Sequence, residues 1–215
     1  MVGGAGAMRR ALARYPHLVL RRLASRVSLR SRRRKFELFM ERFRPGPETT
    51  VVDVGVTDSG FGETVDAFPS DNFFEAMYPW PERVTAVGIT ELERFAAAFT
   101  RVRTVVADGR SLPFVDGEFD LGFSNAVVEH VGGREAQREF VHEVCRVSQR
   151  VFVTTPNRWF PIEVHTLRPL LHWLPAQLYQ LDGIDLLGPR EFASLFPYPV
   201  HVVNTGMTLI AIGGR

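Results

Sequence analysis

The sequence predicts an α/β protein of a single domain built on a doubly wound, mostly parallel sheet. Three observations lead there. From residue 49 onward, short Val- and Phe-rich runs ending in Gly, Asp, Asn or Pro alternate with segments of helical period, the signature of strands joined by crossover helices. A chain of 215 residues with 45% hydrophobic content supports one sizeable core but not two full domains. The single cysteine, Cys145, excludes a disulfide framework and a cysteine-rich zinc site, and no metal site is expected.

The first element is a basic arm, residues 1–35. Residues 1–45 hold 13 of the 26 Lys and Arg against only Glu37 and Glu41, an excess of eleven positive charges, while the remainder carries nine more acids than bases. Charge of this density suits anionic lipid or nucleic acid, resembles an organellar transit peptide, or is a solvated face. Phe36, Phe39, Met40 and Phe43 then recur at helical spacing, so the domain, residues 36–215, is expected to begin with a helix docked by its apolar face.

The expected strands are "TTVVDVG" (49–55), "RVTAVGI" (83–89), "RTVVADG" (103–109), "FDLGFSN" (119–125) and "RVFVTTP" (150–156). Between them fall the helical segments "SDNFFEAMYPW", "ELERFAAAFT" and "REAQREFVHEVCRVS", with Ser70 or Asp71 and Thr90 as N-caps. Helical spacing places Cys145 in the core. After residue 156 an apolar, Pro- and Trp-rich stretch interrupts the rhythm, which resumes with "PREFASLF" and two closing strands, "PVHVVNTG" and "MTLIAIGG". In such a sheet ligands bind beyond the carboxyl ends of the strands.

The ordered motifs "VVDVGVTDSG", "VTAVGITE", "VVADGRSLPFVDGEFDLGFSNAVVEHV" and "RVFVTTPNRWFPIEVHTLRPLLHWLP" resemble the class I S-adenosylmethionine-dependent methyltransferases of the type 11 group, which includes the quinone methyltransferases. The resemblance spans residues 48–213 and is most specific in the strand-end Asp, the L-P-F turn, the D-G-x-F-D run and the trailing E-H-V. It departs in the first motif. Family members carry an acidic residue and then G-x-G-x-G; Asp53 and Gly55 match, but Thr57 stands at the second glycine. The resemblance implies a Rossmann-like methyltransferase sheet with an antiparallel closing strand, and S-adenosyl-L-methionine as cofactor.

The altered turn has its own chemistry. A dinucleotide pyrophosphate needs close backbone approach and a helix N-terminus, and "GVTDSGFG" is not G-x-G-x-x-G. A dehydrogenase is disfavoured. An aminoacyl group is zwitterionic, and Asp53, Thr57 and Asp58 suit its ammonium; the alternative is that Asp53 and Asp58 only cap a turn. The resemblance further implies that Thr90 or the displaced acid Glu91 meets the ribose, that Asp108 and Gly109 meet the adenine, and that Asn125 lines the methionine side.

Methyl transfer is a displacement at a sulfonium carbon, so positioning and desolvation contribute most. A base is required only for acceptors that lose a proton, and His130 in "NAVVEHV" is the candidate catalytic residue. The segment of about residues 157–187 reads as an apolar lid, with Trp159, His165 and Leu170 as candidate acceptor contacts; packing on the sheet is the competing account. The expected function is methyl transfer to a small, apolar or lipid-like acceptor in the cytoplasm, with peripheral membrane contact through the arm left open. Two alternatives stand beside it: a catalytically inactive binding or scaffold protein, and, less favoured, a nucleic-acid methyltransferase.

Overall fold

A computed structural model of the protein describes residues 16–59, 72–162, 170, 173 and 183–214. The chain divides into two compact units, residues 1–44 and 45–215. In the first, helix α1 (Pro16–Phe43) runs unbroken through the arginine-rich stretch, with the Phe39 and Phe43 rings 5.1 Å apart on one of its faces.

The second unit is a seven-stranded sheet: β1 (Val51–Val54), β2 (Val84–Gly88), β3 (Arg103–Val106), β4 (Phe119–Asn125), β5 (Ser148–Pro156), β6 (His201–Asn204) and β7 (Thr208–Gly214). Their order across the sheet is β3-β2-β1-β4-β5-β7-β6. The first five are parallel, and β7 alone runs antiparallel to both of its neighbours. The expected α/β sheet with an antiparallel closing strand is therefore what the chain forms. Strand order reverses between β1 and β4, and a crevice opens there at the carboxyl ends of the strands.

Between the strands lie α2 (Phe73–Met77), α3 (Glu93–Ala98), α4 (Arg134–Val147) and α5 (Pro189–Ala193). In α4, Gln137, Phe140, Val141, Val144 and Cys145 follow one face and are buried, and with Val52, Val54, Val151 and Val153 its apolar members form the main core. Cys145 is a core side chain, as its spacing predicts. Gly122 of β4 lies beneath α4, where a Cβ would come within 2.5 Å of Ser148 Oγ. Because side chains alternate along a strand, Phe123 points to the opposite face, where it stacks on Phe74 of α2 at 4.2 Å and on Phe152 at 5.7 Å. Asp53, paired with Phe123 across the β1–β4 ladder, shares that second face.

One expectation about helix starts needs correction. Thr90 does not cap α3; Leu92 holds the N-cap position without a side-chain bond, and the helix start is capped from across the cleft, where the Asp58 carboxylate accepts the Phe95 amide proton at 2.7 Å. A long-range cap of this kind leaves no mark at the helix's own start. Ser70 and Asp71 lie outside the described residues; the residue at the N-cap of α2 is Asn72.

Candidate functional site at the sheet switch point

The cleft at the switch point is lined by Asp53, Gly55, Val56, Asn72, Phe73, Phe74, Phe123 and Asn125. Its enclosed part, about 20 Å³, has room for a group the size of a water or an ammonium, so the rest of any ligand lies along the open strand ends.

Gly55 makes the close approach possible. Its φ is +110°, its amide donates to Val87 O at 2.8 Å, and a Cβ there would lie 2.2 Å from Val127 Cγ2. Only glycine satisfies all three conditions. The turn that follows is held by Asn72, which accepts from the Thr57 amide at 3.2 Å and donates to Thr57 O at 2.9 Å. A side-chain amide thus fixes the loop where the family pattern has a second glycine. Thr57 Oγ1 accepts from Ser59 Oγ at 3.2 Å, and the Asp58 carboxylate is turned to α3.

Asp53 is buried at 6% exposure, and behind it lies Glu75 of α2, buried at 4%. The sequence reading singled out Asp53 but missed Glu75, whose burial depends on how α2 meets the sheet. Neither oxygen of Glu75 has a donor at full hydrogen-bond geometry among the described residues; its close neighbours are the Asp53 carboxyl and its own backbone. Burial, then the charge of Glu75, push the Asp53 carboxyl well above the ordinary carboxylate range. Burial likewise pushes Glu75 up to about 7.

On the β4 side, Ser124 Oγ donates to Val54 O at 2.8 Å and is spent on the sheet, whereas Asn125 reaches the cleft with its Oδ1 bonded to Thr154 Oγ1 at 2.9 Å. Ala126, at φ +57°, turns the chain away directly after it.

The neighbouring strand ends are more open. Beyond β3, Asp108 accepts from the Arg110 amide at 2.9 Å and from its guanidinium at 2.6 Å, and these bonds hold its carboxyl below the ordinary value. Gly109 passes so close to α4 that a Cβ would lie 2.5 Å from Phe140. At the end of β2 stands Gly88, where a Cβ would lie 2.9 Å from Val56 O, so no side chain can project there. Thr90 and Glu91 follow, both exposed.

His130 is half-exposed, its Nε2 lying 3.9 Å from Glu129 Oε1. Glu129 is fully buried and bound by Thr155 Oγ1 at 3.0 Å. In the apolar segment, exposed Trp159 lies 6.4 Å from Trp173, whose indole N–H donates to Arg158 O at 2.8 Å. Leu170 is exposed at φ +60°. His165 and much of the expected lid lie outside the described residues.

The model of a family described as "Methyltransferase domain" matches residues 59–150. A Pyrococcus horikoshii OT3 protein superposes with a TM-score of 0.59 at 17% identity, over 87% of this chain and 91% of its own. A Burkholderia thailandensis 1,6-didemethyltoxoflavin-N1-methyltransferase, solved with 1,6-didemethyltoxoflavin and S-adenosylhomocysteine, superposes with a TM-score of 0.56 at 15% identity, over 98% and 88%. Residues 59–150 are thus similar to a methyltransferase domain, and the sheet has the fold of these neighbours. The (4+2)-cyclase SpnF superposes as well, at a TM-score of 0.54 and 15% identity over 81% and 61%, so the fold by itself does not name a reaction. No curated protein sequence matches. The family match begins at residue 59, after Asp53 and Gly55, which agrees with the altered first motif. Among the described residues, no helix is long and apolar enough to cross a membrane.

The residues present fit S-adenosyl-L-methionine at three points. The buried acid pair suits an ammonium, the Gly55 backbone leaves room for close approach, and Asp108 with Gly109 offers an acceptor and a backbone edge at a strand end. They fit less well at the end of β2, where Gly88 leaves the ribose to Thr90 or Glu91.

Proposed function

We propose that the chain transfers a methyl group from S-adenosyl-L-methionine to a small, apolar or lipid-like acceptor. One observation carries the reading: the cleft at the switch point is closed by a buried carboxyl pair, with no cation facing it on the flanking strands. Such a site repels a phosphate and attracts an ammonium, which separates an aminoacyl nucleoside from a dinucleotide.

When bound, the cofactor supplies an electrophilic methyl on a sulfonium centre. Asp53, Gly55 and Asn125 would hold its aminoacyl end, Asp108 and Gly109 its adenine, and Thr90 or Glu91 its ribose. Phe73, Phe74 and Phe123 keep water from the inner cleft. His130, with Glu129 beside it, would take a proton from an acceptor that has one to lose. Trp159, Leu170 and Trp173 are large and exposed, and a run of uncovered apolar side chains supports an acceptor wall; His165 belongs to the same proposal. Nine Lys and Arg between residues 16 and 43 support contact with an anionic membrane surface that delivers such an acceptor. The missing side chain at Gly88 and the Asn72-held turn favour a second reading, a fold that binds ligand without turnover.

Titration calorimetry and labelled-methyl transfer to a lipid and quinone extract, beside an RNA pool, separate these readings. D108A is expected to weaken cofactor binding on the order of tenfold. Polar replacement of Trp159 and Leu170 should leave cofactor affinity within about twofold and abolish transfer, since only the acceptor loses contacts. Binding without transfer to any pool favours the second reading, and labelling of RNA alone overturns the acceptor class.

A further inference from the structure

The least expected feature of the cleft is Glu75. A carboxyl at 4% exposure normally has a donor or a cation beside it. This one is packed among the aromatic residues of α2 and meets another carboxyl instead. Two acids in contact without a cation cannot both ionise at low cost, so they retain one proton between them.

No other charged side chain among the described residues of this unit faces the pair. Beside Asp53 stand Ala86 on β2 and Phe123 on β4. On α2, Glu75 is flanked by Phe74, and Asn72 ahead of the helix is neutral. The Asp58 carboxylate is turned to the Phe95 amide. Tyr78, pushed up to about 12 by burial, is neutral throughout the physiological range.

We propose that Asp53 and Glu75 form a proton-sharing pair that captures the ligand's ammonium by releasing its proton to solvent, with Asp53 touching the ligand and Glu75 as the positioning residue behind it. The inference rests on the aminoacyl nucleoside reading above. The charges balance: the free pair carries one negative charge and one proton, the ligand arrives as an ammonium, and the occupied pair carries two negative charges after one proton has left. Without ligand the retained proton keeps a doubly charged pair out of the aromatic interior; with it, the ammonium provides the missing cation. Ligand affinity should therefore rise with pH until the pair ionises unaided.

S-adenosylhomocysteine is the suitable probe, because it has the ammonium but no sulfonium, and its own groups do not titrate between pH 5.5 and 8. Calorimetry of the full chain in two buffers of different ionisation enthalpy is expected to show close to one proton released per ligand between about pH 7 and 8, where the free pair holds one. Kd should tighten as pH rises, by about tenfold per unit while the free pair holds its shared proton, and level off once the pair ionises unaided. 5′-Methylthioadenosine, which has no amine, should bind with no proton release.

E75Q should still bind S-adenosylhomocysteine but with less proton release and a shallower pH slope, because burial alone still raises Asp53, and E75D should retain both in full. If E75Q does not fold, D53N carries the same discrimination through the proton count. Proton release that persists undiminished in E75Q and in D53N assigns the proton to another group, such as His130, and overturns the proposal. So does saturable binding whose Kd is flat with pH, which leaves the cofactor reading standing. Absence of binding by either probe at every pH overturns the proposal and the cofactor reading together.

Discussion

Two acidic clusters in this fold are built on opposite terms. At the cleft, Asp53 and Glu75 are buried together with no cation beside them among the described residues, and both carboxyls are pushed up. At the far side of α4, Glu143 and Asp116 surround Arg146. Its guanidinium donates to Glu143 at 2.7 Å, to Asp116 at 2.9 Å and to the carbonyls of Leu112 and Phe114 at 3.0 and 2.8 Å. Glu143 in turn accepts from the Leu112 amide at 2.8 Å. Hydrogen bonds from Arg146 hold the Glu143 carboxyl below its ordinary value. The second cluster is complete and pins the "SLPFVDGEF" loop to α4. Under the proposal above, the first is completed only by a cation from outside, as a binding site is and a brace is not.

Removing the arginine should give the largest effect. R146A leaves two loop carbonyls and two carboxylates without their donor, and urea unfolding should report a loss of about 2–3 kcal/mol. Proton release on ligand binding should stay as in the wild type, because this cluster is not the cleft. A pH slope altered in R146A would break the division between the two.

E75Q should move stability the other way. Its folded-state value lies above the unfolded one, so the carboxyl's favourable contribution is present in full below about 4.5 and is lost as pH rises to about 7. Wild type and E75Q should therefore be close in stability near pH 4, with E75Q ahead by on the order of 2 kcal/mol at pH 8. Equal stabilities at both pH values in chemical denaturation would mean that Glu75 is not held protonated by the fold.

The smallest effect belongs to the rim of the complete cluster. Asp116 is largely exposed, with 68% of its side chain accessible, and solvent screens its pairing with Arg146. D116A should cost no more than about 0.5 kcal/mol and become indistinguishable from wild type in about 1 M salt. A loss as large as that of R146A would show that the ion pair, and not the carbonyl bonds, holds the loop.

How much of this was legible in advance differs between elements. The strand runs around 51–54, 84–88, 119–125 and 148–156 were readable because buried parallel strands require uninterrupted apolar residues, and α4 was readable because its apolar positions follow the helical period. Asp53 and Gly55 announced themselves by standing at the end of such a run. Asn72 and Glu75 did not. Nothing in "DNFFEAM" marks which polar residue turns inward, and Glu75 looks there like a first-turn acid favoured by a helix dipole.

The sequence by itself determined the alternation of strands and helices, and so the sheet class. It also determined the absence of a pyrophosphate loop, since those are properties of local pattern. Only the tertiary structure decided that Asp58 caps a helix 35 residues away rather than facing a ligand, that Asn72 takes over the missing glycine's loop, and that two acids 22 residues apart share one buried site. Each of these depends on which side chains meet when α2 and α3 settle on the sheet. Contacts between residues distant in the chain leave no periodicity in the sequence to read.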